Sequence, residues 1–206
     1  MSGNFAATAQ ADFISTAGSR INAAGTATVR AGQNATVADI AGVGLVDISA
    51  MWDAKVTNAA VTGIVTTANL GAGTVVLGPQ MLIQAGHDPI GTPSPTPTAS
   101  FDPNYDATID GDVTSTGFIT INAGGSALFL SGSSTISDNG LTVQTGDDII
   151  IQAGASVVAG NGPATTPNTG NPFPDTNNLF LHAGSLTPLS TTTVTPIASI
   201  VAAGNI

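Results

Sequence analysis

The 206-residue chain carries 13 acidic residues against 3 basic ones, a formal net charge of −10, and no cysteine. Only 8% of its residues are charged, where an ordinary soluble domain has about 25%. This balance excludes nucleic acid as a partner, since phosphate binding needs clustered Lys and Arg, and the missing thiols exclude a disulfide framework or thiolate metal site. Every acid is Asp, and Lys55 is the one lysine. Helices are usually built from Glu, Lys, Arg, Gln and Leu. The Asp, Asn, Thr, Gly and Val that dominate here suit turns and strands, so an all-β chain is expected.

In chain order, the opening "MSGNFAATAQADF" lacks the basic stretch and apolar run of a signal peptide. The expectation is a chain whose signal was removed, or an internal piece of something longer. "VRAGQN" (29–34) is the first of six near-copies of one phrase, an apolar residue, a mostly polar one, then Ala-Gly. Residues 56–78 carry no charge over a length able to span a bilayer. Gly, Asn and Thr break that stretch, and its Val/Thr alternation predicts strand–turn–strand, so no membrane insertion is expected.

"MLIQAG" (81–86), "ITINAG" (119–124), "IIIQAG" (149–154) and "LFLHAG" (179–184) follow, and "VAAGNI" (201–206) is the last version. Their apolar residues stand two apart, as in Met81 and Ile83 or Ile119 and Ile121, which is the strand period. The glycine after each lets the backbone turn tightly. A short strand closed by a corner cannot bury a face alone, but stacked copies can. The expected architecture is therefore a β-solenoid, a single domain over 1–206. Sparse aromatics and abundant Ala, Val and Ile suit its narrow interior. The intervals between copies are uneven, and Pro-rich runs account for part of this. Proline cannot donate to a sheet ladder, so 87–113 and 160–178 are expected to leave the coil as loop excursions.

The segments "GSRINAAGTATVRAGQNATVADIAG" (18–42) and "TGDDIIIQAGASVVAGNG" (145–162) resemble the repeat region of filamentous haemagglutinins, large secreted exoproteins and adhesins of Gram-negative bacteria. The resemblance covers about two thirds of the chain and excludes the Pro-rich runs. It implies a right-handed parallel β-helix, an extracellular or bacterial cell-surface location and an adhesive role. The "NPNG"-type segments of that family's secretion domain are missing, so only the shaft is carried over, with no binding residue.

Candidate sites are few. "FDPNYDATIDGDV" (101–113) places oxygen ligands at alternate positions, Asp102, Asn104, Asp106, then Asp110 and Asp112. Calcium takes six to eight oxygens, and the D-x-N-x-D start resembles that supply. Asp102, Asn104, Asp106 and Asp110 are thus the candidate calcium ligands, and calcium the one cofactor considered. Ala107 at the sixth place and Val113 at the twelfth depart from the calcium loop, so the competing reading is an Asx turn leading into a strand. "TGDDI" (145–149) resembles the paired-aspartate segment of polygalacturonases, where carboxylates act as acid and base. The other Asp, His and Arg-x-Lys elements of those enzymes have no counterpart, and Asp147 and Asp148 read more simply as a turn. His87 and His182 both adjoin Ala-Gly corners, where exposed polar residues are expected. The threonine runs do not recur in register with the repeat, which argues against an ice-binding face.

No phosphate loop, Ser/His/Asp set or nucleophile elbow appears. The expectation is a non-enzymatic structural or adhesive module of a surface exoprotein, or a filament subunit. The alternative is a polysaccharide-acting β-helix enzyme or a tailspike-like glycan-binding domain. "AAGNI" stops within a repeat, so end-to-end self-association or continuation in a longer chain is expected, with a glycan or cell surface as the other partner.

Overall fold

The computed structural model describes residues 3–63, 66–70, 73–77, 79–87, 102–160, 179–183 and 199–202. Within them the regular elements are strands, β1 to β20. The first seven are β1 (Phe5–Ala9), β2 (Phe13–Ile14), β3 (Ile21–Asn22), β4 (Thr26–Ala31), β5 (Ala35–Gly42), β6 (Leu45–Ala50) and β7 (Ala54–Val61). Next come β8 (Thr66–Leu70), β9 (Gly73–Leu77), β10 (Gln80–Ala85), β11 (Ala107–Ile109), β12 (Asp112–Ser115) and β13 (Phe118–Ala123). The last are β14 (Ala127–Phe129), β15 (Ser134–Ser137), β16 (Gly140–Thr145), β17 (Ile149–Ile151), β18 (Ser156–Ala159), β19 (Leu179–His182) and β20 (Ser199–Ala202).

Two sheets, one of 7 strands and one of 11, hold all but β8 and β9. The smaller runs β1-β4-β6-β10-β13-β16-β19, and every pairing in both is parallel. The chain alternates between the sheets, and each new strand lands beside its counterpart from the passage before. Apolar residues therefore stack in columns. Ala27, Val46, Met81, Ile119, Leu141 and Leu179 pair in register across the smaller sheet, each at most 1% exposed. Val37, Val56, Ile109, Phe129 and Ile151 form the facing column of the larger sheet. One apolar core lies between the two. Burying each Ile or Phe contributes about 1.5–3 kcal/mol, so the columns are the main source of stability.

The larger sheet forks. The first half of β7 pairs with β11 and its second half with β12. The cause lies in the long strands β5 and β7. In-out alternation slips at Ala38 and Asp39, and again at Thr57 and Asn58, where two successive residues face outward. Two outward residues in a row bend the strand and start a second wall, as a β-bulge does.

This arrangement corrects the expected fold class. A right-handed parallel β-helix built on one Ala-Gly corner per turn requires equivalent turns and excursions that are merely loops. The strands instead fall into two parallel sheets of 7 and 11 members, the larger one forked, and β8 and β9 form an antiparallel pair outside both. Nor are the six copies equivalent. "VRAG", "IQAG" and "INAG" end strands of the smaller sheet, whereas "IIIQAG" forms β17 and the last copy begins in β20, both in the larger sheet. Strands β6 and β16 occupy the same column without any Ala-Gly pair. What stands is an all-β chain of two parallel sheets around one core. Of the expected excursions 87–113 and 160–178, residues 88–101 and 161–178 lie outside the described residues, whereas the end of the first is not a loop but forms β11 and the start of β12 in the larger sheet. No helix among the described residues is long and apolar enough to cross a membrane.

The second wall buries hydroxyls. Ser137 Oγ donates to the Gly117 or Gly140 carbonyl, each at 2.7 Å. Thr135 Oγ1 has no partner, although the residue is 0% exposed and lies in register with Val113 and Val157. An unpaired buried hydroxyl costs about 1–3 kcal/mol. Thr135→Val, which keeps shape and removes that group, is expected to raise stability by about 1 kcal/mol in urea unfolding. A loss of stability would mean the hydroxyl is satisfied.

Candidate functional site

The Asp-rich chemistry resolves into one corner. Each first-wall strand of the larger sheet is preceded by a short polar residue, Asp12, Asn34, Asp53, Asp106, Ser126 and Asp148 before β2, β5, β7, β11, β14 and β17. Asp12 Oδ1 accepts the Asn34 backbone N–H at 3.0 Å, and Asn34 Oδ1 accepts that of Asp53 at 3.3 Å. Asp53 Oδ1 accepts from Asp106 at 2.9 Å, Asp106 Oδ1 from Ser126 at 2.7 Å, and Ser126 Oγ from Asp148 at 3.4 Å. The residue after each corner donates its own N–H to the next corner's carbonyl, as Ala54 does to Asp106 at 3.0 Å and Ala107 to Ser126 at 3.0 Å. Both backbone groups of a corner residue are thus satisfied by the passage before it. A turn otherwise leaves such groups to water.

The candidate calcium ligands are distributed differently from that expectation. Asp102 Oδ1 accepts the Asn104 backbone N–H at 3.1 Å and its side-chain amide at 2.7 Å, which is the Asx turn. Asp106 is a rung of the corner ladder. Asp110 pairs with Lys55 at 2.6 Å, and the Asp112 N–H donates to Asn58 Oδ1 at 3.2 Å. Among the described residues no three His, Cys, Asp or Glu side chains assemble as a metal-ligand group. Asp106→Ala is expected to cost about 1 kcal/mol, one net hydrogen bond, and Asp106→Asn less than half of that, because the amide oxygen still accepts. Melting in excess calcium and in chelator is expected to coincide. A calcium-dependent rise in Tm that disappears in Asp106→Asn would restore a cation to this loop.

The basic residues are paired across neighbouring passages. Arg20 meets Asp39 at 3.6 Å and Arg30 meets Asp47 at 3.5 Å, so with Lys55 all 3 basic residues are engaged. Asp147 and Asp148 are exposed and have no described cation beside them. Trp52 and Tyr105, the single Trp and Tyr of the chain, precede consecutive corner residues and stack at 5.9 Å and 13°.

The histidines need one correction. His87 is half-buried and its backbone N–H donates to the Ala50 carbonyl at 3.2 Å. His182, expected at the surface, is only 7% exposed. Its ring lies 6.1 Å from Phe180, and Nε2 has no partner. Strands β13 and β16 separate β10, which His87 follows, from β19, which carries His182, so the two histidines do not lie on neighbouring strands.

The corner ladder was missed from sequence, although a signal exists. An Asp, Asn or Ser stands before Phe13, Ala35, Ala54, Ala107, Ala127 and Ile149, which pair in register as one column. The class this defines is an all-β protein of two parallel sheets whose polar side chains cross-link successive passages. Comparison with protein-family models, curated proteins and solved structures gives no match.

Proposed function

We propose that the chain is a non-enzymatic extracellular module with a structural or adhesive role, a stretch of a bacterial surface exoprotein or a subunit of a filament. The observation that carries this reading is the commitment of its polar groups. The side chains of Asp12, Asp53, Asp106, Asn34 and Ser126 and all 3 basic residues serve to fasten one passage to the next. Such a chain stores its chemistry in stiffness and surface. The resemblance of 18–42 and 145–162 to filamentous haemagglutinin repeats supports the same reading. Within the described residues β1 and β19 each pair on one side only, and parallel edges of this kind accept further strands, from the same chain or a second copy.

Electron microscopy over a concentration series, with sedimentation alongside, tests the filament form, for which particles lengthening with concentration are expected. Incubation with a panel of polysaccharides tests the non-enzymatic part. New reducing ends appearing over time would overturn it in favour of a polysaccharide-cleaving enzyme.

A further inference from the structure

We infer that the outer face of the smaller sheet, over β13, β16 and β19, binds an uncharged glycan laid across the strands. The inference rests on the adhesive reading above and names its ligand class. Three consecutive strands present the same two outward positions in register. Thr120, Thr142 and Phe180 form one row, and Asn122, Gln144 and His182 the other. The rows therefore repeat at strand spacing, about 4.8 Å, roughly the advance of one sugar ring.

Two members of the second row are buried polar groups with an unused atom. Asn122 and His182 are each 7% exposed, yet Asn122 Oδ1 and His182 Nε2 have no hydrogen-bond partner. Buried polar atoms are nearly always paired, so an exception calls for an explanation. Outward positions of a sheet face accommodate serine or threonine at no such cost, as Ser49 shows in the same row by donating to Asp47 at 2.6 Å. Gln144 lies in register between the two. Its amide adds a further donor and acceptor to the same row.

The chemistry selects the occupant. Amides, hydroxyls and an imidazole offer donors and acceptors side by side, which matches hydroxyl groups that do both. Phe180 is 51% exposed next to His182 and supplies the apolar surface against which a sugar's C–H face packs. Charge argues against an acidic polymer, since the chain carries −10 overall. Arg30, the cation in the same row, is engaged with Asp47.

The test uses the whole chain, isotopically labelled, titrated with neutral β-linked hexasaccharides of glucose, mannose and N-acetylglucosamine, and with a polygalacturonate hexamer as the charged counterpart. Saturable amide shifts on β13, β16 and β19 are expected with at least one neutral probe, weaker by about tenfold in Gln144→Ala and Phe180→Ala. Ser134→Ala, on the outer side of β15, serves as the control, and matching melting curves show that the variants fold. No saturable shift with any neutral probe, shifts indifferent to both substitutions, or preference for the charged hexamer would each overturn the site. Adhesion of the chain to cells that survives both substitutions sinks the glycan face alone. Oligosaccharide binding without any adhesion sinks the adhesive reading instead.

Discussion

Phe129→Ala is expected to lower the unfolding free energy by about 3–5 kcal/mol, the range for deleting a buried aromatic ring. Phe129 is 0% exposed and first by volume among the fully buried side chains. It stands in a column otherwise filled by Val37, Val56, Ile109 and Ile151. Its neighbours are tied to parallel strands at fixed spacing, so they cannot close over the hole, and the cavity contribution is retained. Urea unfolding of Phe129→Ala and Phe129→Leu separates the two contributions. Leucine refills much of the space, and about half the loss is expected to return. If alanine costs no more than a surface substitution, the wall around β14 is not packed as described.

The same columns explain how much of the fold was legible from sequence. Period-two apolar pairs such as Met81 and Ile83 or Ile119 and Ile121 fixed strands correctly, because the inward residues of β10 and β13 have no alternative but burial. Counting Ala-Gly copies went wrong for a physical reason. The corner of the smaller sheet needs small volume, and Ala50 before Met51 or Thr145 before Gly146 meets that need without the phrase. Strand β6 was therefore overlooked, although Val46 and Ile48 carry the period. Conversely "IIIQAG" copies the phrase on a different wall, where Gly154 takes a φ of 85°. The fork at β7 was not legible, since Thr57-Asn58 reads as an ordinary polar pair until one knows that both face outward. At the candidate site, the alternation of Asp102, Asn104 and Asp106 was real, but one-dimensional spacing cannot distinguish ligands converging on an ion from an Asx turn followed by an acceptor that serves the next passage. The second arrangement links Asp106 to Ser126 at a separation of 20 residues, a pairing visible only when the passages are stacked.

Gly146→Ala is the other large effect, about 3 kcal/mol, the upper end for overpacking. The corner after β16 lies against the corner after β13, and a Cβ on Gly146 would be driven into the Gly124 carbonyl oxygen. That neighbour is backbone, held by the Gly124 N–H donating to Ala85 at 3.2 Å and the Gly146 N–H donating to Ala123 at 3.0 Å, so no flexible side chain can yield. Gly132 provides the contrast. Its φ of +82° favours glycine, but a Cβ there meets nothing within 4 Å, so Gly132→Ala is expected to cost only about 1 kcal/mol, the left-handed penalty alone. The ratio matters more than either value. Gly146 tests close stacking of passages, whereas Gly132 tests local turn geometry, and equal costs would mean that the corners do not touch. If the ratio holds, any exposed face of the smaller sheet inherits a spacing set by backbone contact. A surface that recognises a repeating ligand requires that fixed spacing, and Gly146→Ala is accordingly expected to weaken such recognition beyond its effect on stability.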